Sequence, residues 1–148
     1  LINSKLVTGL SEDQRIRFRN SHIGIVTTQP ALINELTVED NVRVPLDYIH
    51  KEVAGINKVL RISQVWHRKD QFPDRLSFEL QQQVVLARAL LTNPKLIIAN
   101  DPTYLFSEAS RDEYCKLLST VNQAGYTIVC LSSQSTKNPY AQFSYKLD

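Results

Sequence analysis

RLSFELQQQVVLARALLTNPKLIIAND, residues Arg75 to Asp101, runs from a capped helix through a proline-marked loop into an apolar strand, which makes one α/β unit. Ser77 suits an N-cap, because its hydroxyl can accept from a free amide of the first turn, and Glu79 puts negative charge where the helix dipole favours it. Leu80, Val84, Ala87 and Leu91 recur at helical spacing, and Asn93-Pro94 stops the helix. Leu96 to Ala99 is a short apolar run of the kind that makes a parallel strand covered on both faces. Its polar end, Asn100-Asp101-Pro102-Thr103, falls where such sheets bind ligands.

The same alternation extends outward. Ser11-Glu12-Asp13 can cap a short helix carrying RIRFR, and Ile23 to Thr27 reads as a strand. From Leu36 the chain turns helical, with Thr37 a cap for VEDNV, Pro45 a break, and an amphipathic stretch from about Tyr48 to Ile62. Val65, Trp66 and Phe72 are expected to pack that region. Glu108 to Gln123 places Tyr114, Leu117, Leu118 and Val121 on one face; Gly125 ends the helix, and Thr127 to Leu131 follows as a buried strand. Tyr140 to Leu147 reads as a last short strand.

A chain of 148 residues with 43% apolar content supports one domain, 1–148, with a real core. A net charge of +2 argues against a protein built mainly to hold nucleic acid, and the cluster Arg15, Arg17, Arg19 and His22 reads as a solvated helix face. Cys115 and Cys130 lack CxxC spacing and are expected as free thiols in a reducing compartment. His22, His50 and His67 show no ligand spacing, so no metal site is expected from them. No run of about 18 apolar residues occurs, and a cytoplasmic chain, peripheral at most to a membrane, is the expectation.

LSFELQQQVVLARALLTNPKLIIANDPT resembles the signature-to-Walker-B segment of ABC-transporter ATPase domains, in which LSGGQ opens the helix and DEP follows the strand. IGIVTTQPALINELTVEDNVRVPL, Ile23 to Leu46, resembles the Q-loop region, and GYTIVCLSSQ, Gly125 to Gln134, resembles the switch strand. The resemblance covers nearly the whole chain and is nearest to the ATPases of lipoprotein-release, cell-division and macrolide-export systems. It implies an α/β, P-loop NTPase-like three-layer core with a mostly parallel sheet, plus a helical subdomain over 36–92 that docks on a membrane partner. The family's P-loop strand lies upstream of this sequence: glycines occur only at 9, 24, 55 and 125, so no phosphate-cradling loop stands within it. The chain is therefore expected to be either part of a longer protein or a shortened domain.

Carried over by that resemblance, the cofactor-binding positions are Ser77, Asn100, Asp101, Thr28 and Gln29, with no catalytic residue and no metal ligand among them. Asn100 stands where the Walker-B aspartate would hold Mg²⁺, and offers a neutral carbonyl to a cation that prefers anionic oxygen. Asp101 stands for the water-polarising glutamate, one methylene too short, and Thr28 for the Q-loop glutamine, with Gln29 one place late. Phe78 and Glu79 replace the two signature glycines, adding bulk and negative charge where a phosphate approaches. Ser77 survives, chiefly as an N-cap, while Ser107 and Ser133 replace the D-loop aspartate and the switch histidine. Ser132 and Ser133 lack a GxSxG turn, which sets serine hydrolysis aside.

The resemblance thus implies a degenerate ATP-binding subunit that does not hydrolyse ATP alone, with ATP and Mg²⁺ as cofactors only if a P-loop exists upstream. Its expected partners are a transporter membrane subunit and a second ATPase-like chain, as a homo- or heterodimer. Ile128 to Leu131 would border the P-loop strand, so its edge is expected to be filled by an upstream segment, by Phe143 to Leu147, or by another chain. An uncovered Thr127 to Leu131 edge in a single chain would sink that idea.

Overall fold

The computed structural model describes residues 7–48, 55–133 and 139–144. Ser11 opens α1 (Glu12–His22) through a capping box: its hydroxyl accepts from Gln14 N–H at 3.4 Å, and Gln14 Oε1 accepts from Ser11 N–H at 3.0 Å. The helix passes directly into β1 (Ile23–Val26). Thr37 then caps α2 (Val38–Arg43), and Pro45 lies in the 3-10 stretch Val44–Tyr48 that follows. The long amphipathic helix expected from Tyr48 is shorter than that. Tyr48 closes the 3-10 stretch, 49–54 lie outside the described residues, and Gly55, in extended backbone, leads into α3 (Ile56–Ile62).

Ser77 caps α4 (Phe78–Leu91), accepting from Leu80 N–H at 3.4 Å. Asn93, left-handed at φ 46, turns the chain out of it, and β2 (Leu96–Asn100) follows. Ser107 caps α5 (Glu108–Gln123), Gly125 at φ 99 provides the left-handed turn that ends it, and β3 (Thr127–Leu131) completes the sheet. The boundaries at Ser77, Asn93 and Gly125 fall where the sequence places them, and the Ser107 cap adds to that reading. The strands run parallel in the order β1-β2-β3, with Ile25 opposite Ile98 and Ile98 opposite Val129.

One face of the sheet, carrying Gly24, Val26, Ile97 and Ala99, is buried under the helices. α4 lies between this face and the pair α2 and α3, which explains why it is buried around most of its circumference. α5 sits beside it, with the Tyr114 hydroxyl donating to Gln82 O at 3.3 Å. Fully buried side chains such as Leu86, Leu90 and Ile97 each contribute about 1.5–3 kcal/mol of transfer free energy. A Cβ added at Gly24 would lie 3.1 Å from Ala89 O, so glycine lets strand and helix approach. On the opposite face Ile25, Val129 and Leu131 are 46%, 44% and 42% exposed.

Three expectations about packing are corrected. Phe72 is 44% exposed, because Pro73 and Leu76 of the adjoining turn take the buried places; Val65 is fully buried, and Trp66 packs against the core with the Arg61 guanidinium 4.3 Å over its ring. β3 is largely exposed rather than buried, since helices cover only one of its faces and no described residue pairs with its outer edge. The tail forms turns and bends over 139–144, with Phe143 78% exposed, so those residues do not move in as a strand; Tyr145 to Leu147 lie outside the described residues. By the criterion set above, the described single chain leaves the Thr127–Leu131 edge uncovered. Among the described residues, no helix is long and apolar enough to cross a membrane.

Candidate functional site

At the carboxyl end of the sheet the fold brings Thr28, Asn100, Asp101 and Ser133 together. The Thr28 hydroxyl donates to Asn100 O at 2.9 Å, and Asp101 N–H donates to Leu131 O at 2.9 Å, extending the β2–β3 ladder by one rung. Asp101 then leaves the strand in the left-handed region at φ 43, which an aspartate tolerates better than most side chains. That turn carries its carboxylate across to the next strand end, where Ser133 N–H donates to Oδ1 at 3.0 Å and Oδ2 at 3.1 Å. The Asn100 side chain is exposed.

Gln29 and Ser77 stand apart from this cluster. Gln29 is exposed and is held through its carbonyl, which accepts from the Thr27 hydroxyl at 2.6 Å. The Ser77 hydroxyl serves the α4 cap. Phe78 turns its ring toward the core, edge-on to Phe106 at 5.9 Å, and Phe106 meets Tyr114 in the same manner at 5.5 Å. Its bulk therefore goes into an aromatic chain between α4 and α5. Glu79 lines a cleft with Ser77, Gln83, Ser110 and Glu113, which gathers two carboxylates beside the helix N-terminus. Ser107 is occupied as the α5 cap, accepting from Ser110 N–H at 3.2 Å.

The residue that ties the loop after β1 to the helices is one that sequence reasoning missed. Gln82 is fully buried in α4, and its Nε2 donates to Thr27 O at 3.0 Å and to Thr28 O at 2.7 Å. Its Oε1 is buried without a hydrogen-bond partner. The signal was present: a glutamine one turn away from Leu86 on a helix whose interior is otherwise apolar has to find polar partners. Asn41, also fully buried, organises the next turns by accepting from Ile33 N–H and donating to Ile33 O, Leu36 O and Thr37 O. Arg88 reaches from α4 to Ala31 O at 2.6 Å, and its partial burial holds its pKa below the ordinary arginine value.

Mg²⁺ prefers anionic oxygen, and this arrangement offers it little. The one carboxylate at the strand end already accepts from Ser133 N–H on both oxygens, and its neighbour Asn100 is a neutral amide. At this strand end the described residues offer one carboxylate, Asp101, beside a neutral amide, Asn100. The groups present close the end of the sheet by bonding to one another.

A sequence profile described as ABC transporter matches residues 2–104. The cell division ATP-binding protein FtsE of Bacillus subtilis is 36% identical over 133 residues, which is 87% of this chain and 58% of FtsE. The lipoprotein-releasing system ATP-binding protein LolD of Colwellia psychrerythraea is 30% identical over 86% of this chain and 51% of its own. Among solved structures, a dimeric ATP-binding cassette in a post-hydrolysis state bound to ADP and Pi superposes with a TM-score of 0.72 at 28% identity. That likeness covers 90% of this chain and 61% of the cassette. The chain thus spans between half and two thirds of the length of these relatives.

Proposed function

The chain belongs to the ABC transporter ATP-binding family, and on that premise we propose that it is a member unable to hydrolyse ATP by itself, acting as a non-catalytic subunit or docking module. The observation that carries this reading is the engagement of Asp101: both carboxylate oxygens accept from Ser133 N–H, beside a neutral Asn100. Substitution of the signature glycines by Phe78 and Glu79 supports it, because a carboxylate at that helix end opposes a phosphate. In this reading the region 36–92 is the helical subdomain, and it meets a membrane subunit of a transporter. The partner chain is a second ATPase-like domain, identical or not, and the assembly is peripheral at the inner face of the cell membrane.

Titration calorimetry of Mg-ATP into the 148-residue chain, paired with a phosphate-release assay, tests the proposal. The expected result is no saturable heat and no turnover above buffer. Steady hydrolysis by the chain alone overturns it. A second reading is favoured by the span of the comparisons, which stops at 58% of FtsE. In it the chain is part of an ATP-binding subunit that works with an upstream P-loop and a partner supplying an intact site. Binding by a longer native form and not by this chain would select that reading.

A further inference from the structure

Cys115 on α5 and Cys130 on β3 are the only cysteines in the sequence, and both are free thiols. The fold sets them level. Because β2 and β3 are parallel, α5 between them runs back against β3, and the Asn122 side chain pins the end of the helix to the start of the strand by donating to Tyr126 O at 2.9 Å. From Asn122 back to Cys115 the helix climbs about 10 Å, and from Tyr126 to Cys130 the strand climbs about 13 Å. Residues 115 and 122 are about two turns apart, so Cys115 lies on the side of α5 that meets the strand. Cys130 pairs with Ala99 and so belongs to the sheet face under the helices.

The electrostatics agree with this placement. Burial first, then the charge of Cys115, pushes the Cys130 thiol up to about 11. Cys115 is raised by burial and by Asp112, with Arg111 opposing, and owes nothing to Cys130, so it is the first of the two to ionise. Cys115 is half-buried, and Cys130 is exposed along the strand edge that no described residue pairs with, which opens both to a small molecule.

We propose that Cys115 and Cys130 form a reversible oxidation site, closing an intramolecular disulfide by exchange with a low-molecular-weight disulfide such as oxidised glutathione. The Cys115 thiolate attacks one sulfur of the glutathione disulfide, breaks that S–S bond and releases a glutathione thiolate. The Cys130 thiolate then attacks the Cys115 sulfur of the mixed disulfide and releases the second glutathione. Two cysteine thiols are oxidised, one glutathione disulfide is reduced to two thiols, and the two cysteine protons end on the glutathiones. Excess reduced glutathione runs the same steps backwards. The bridge fastens the edge strand to the helix layer, close to the strand end that gives Ser133 N–H to Asp101.

Incubating the whole chain in glutathione buffers of graded redox poise, then acid-quenching, alkylating and weighing it by intact-mass spectrometry, tests the site. The oxidised chain is expected as a monomer that has lost two hydrogens and takes no alkyl group. Cys130→Ser should instead hold one glutathione on Cys115, and Cys115→Ser should react more slowly. Repeating the wild-type titration in denaturing urea separates the fold from mere sequence proximity. The equilibrium constant for bridge formation should be at least about tenfold larger in the folded chain. Two alkylated thiols at every poise, glutathione held separately on both cysteines, or bridges only between chains would overturn the proposal. So would an equilibrium constant no larger in the folded chain than in urea.

Discussion

The interior of α4 and the polar end of the sheet are joined by a few residues of chain and are constrained in opposite ways. From Val84 to Leu91 every residue except Arg88 is buried, and Ala89 lies against Gly24 closely enough that one methyl group would have to displace backbone. At the strand ends Gln29 and Asn100 are exposed, and Thr28 and Asp101 are half-buried in bonds that mostly involve backbone groups. Close packing fixes both the volume and the polarity of a side chain, whereas an exposed hydrogen bond can be replaced by water. A fold can therefore persist unchanged while the residues at its ligand-binding edge diverge. Substitutions in the two regions should separate by size of effect.

The largest effect is expected from Leu90→Ala, which empties a fully buried site and should destabilise by about 2–5 kcal/mol in urea denaturation. Gln82→Ala should follow at about 2–3 kcal/mol, since it opens a cavity and strips both the Thr27 and Thr28 carbonyls of their donor. Gln82→Leu separates these contributions: it restores volume without the donor, so partial recovery is expected, and full recovery would show that the clamp does not matter. Gly24→Ala should cost about 1–3 kcal/mol by overpacking against Ala89 and Pro94, read from the same urea transitions.

Tyr114 links the two helices that cover the sheet and adds a dependence on alkali. Its phenol is held above the ordinary tyrosine value, first by burial and then by Cys130 and Cys115. The unfolded chain ionises its tyrosines near pH 10, so stability present below about that value should fall as pH rises past it. Tyr114→Phe should flatten this loss, at about 1 kcal/mol of stability near neutrality for the hydrogen bond to Gln82. Smallest of all, Asp101→Asn keeps a residue that tolerates the left-handed turn and should cost about 1 kcal/mol or less in the same assay. A loss as large as that of Leu90→Ala would break the comparison and place the sheet end among the structural determinants of the fold.

Much of this was legible in the chain itself because the signals were local. Ser11, Thr37 and Ser77 each begin a helix through a hydroxyl that meets an amide three residues on, and Gly125 ends α5 with the backbone angle that glycine permits. The cluster of Thr28, Asn100 and Asp101 followed from the rule that parallel strands gather their carboxyl ends. Less legible were roles set by distant partners. Gln82 bonds to residues more than 50 positions away. Phe72 and Trp66 look alike as aromatic residues in one short stretch, and which of them packs inward depends on where Pro73 and Leu76 go.

What the sequence alone determined is the order and type of the elements from α4 to β3, the caps at Ser11, Thr37 and Ser77, and the chemical character of the groups at the sheet end, because each depends on a residue and its near neighbours. Asn100 is neutral and Phe78 is bulky in any fold. What only the tertiary structure decided is where those groups are spent. The left-handed turn at Asp101 and the parallel neighbour β3 together hand its carboxylate to Ser133. The crossing of α4 over β1 buries Gln82 against Thr27, and the junction of α1 with α4 sets Arg19 and Arg88 around one cleft. Hydrogen bonds and desolvation act through space, and the distances they need are fixed by packing among segments that the chain itself holds far apart.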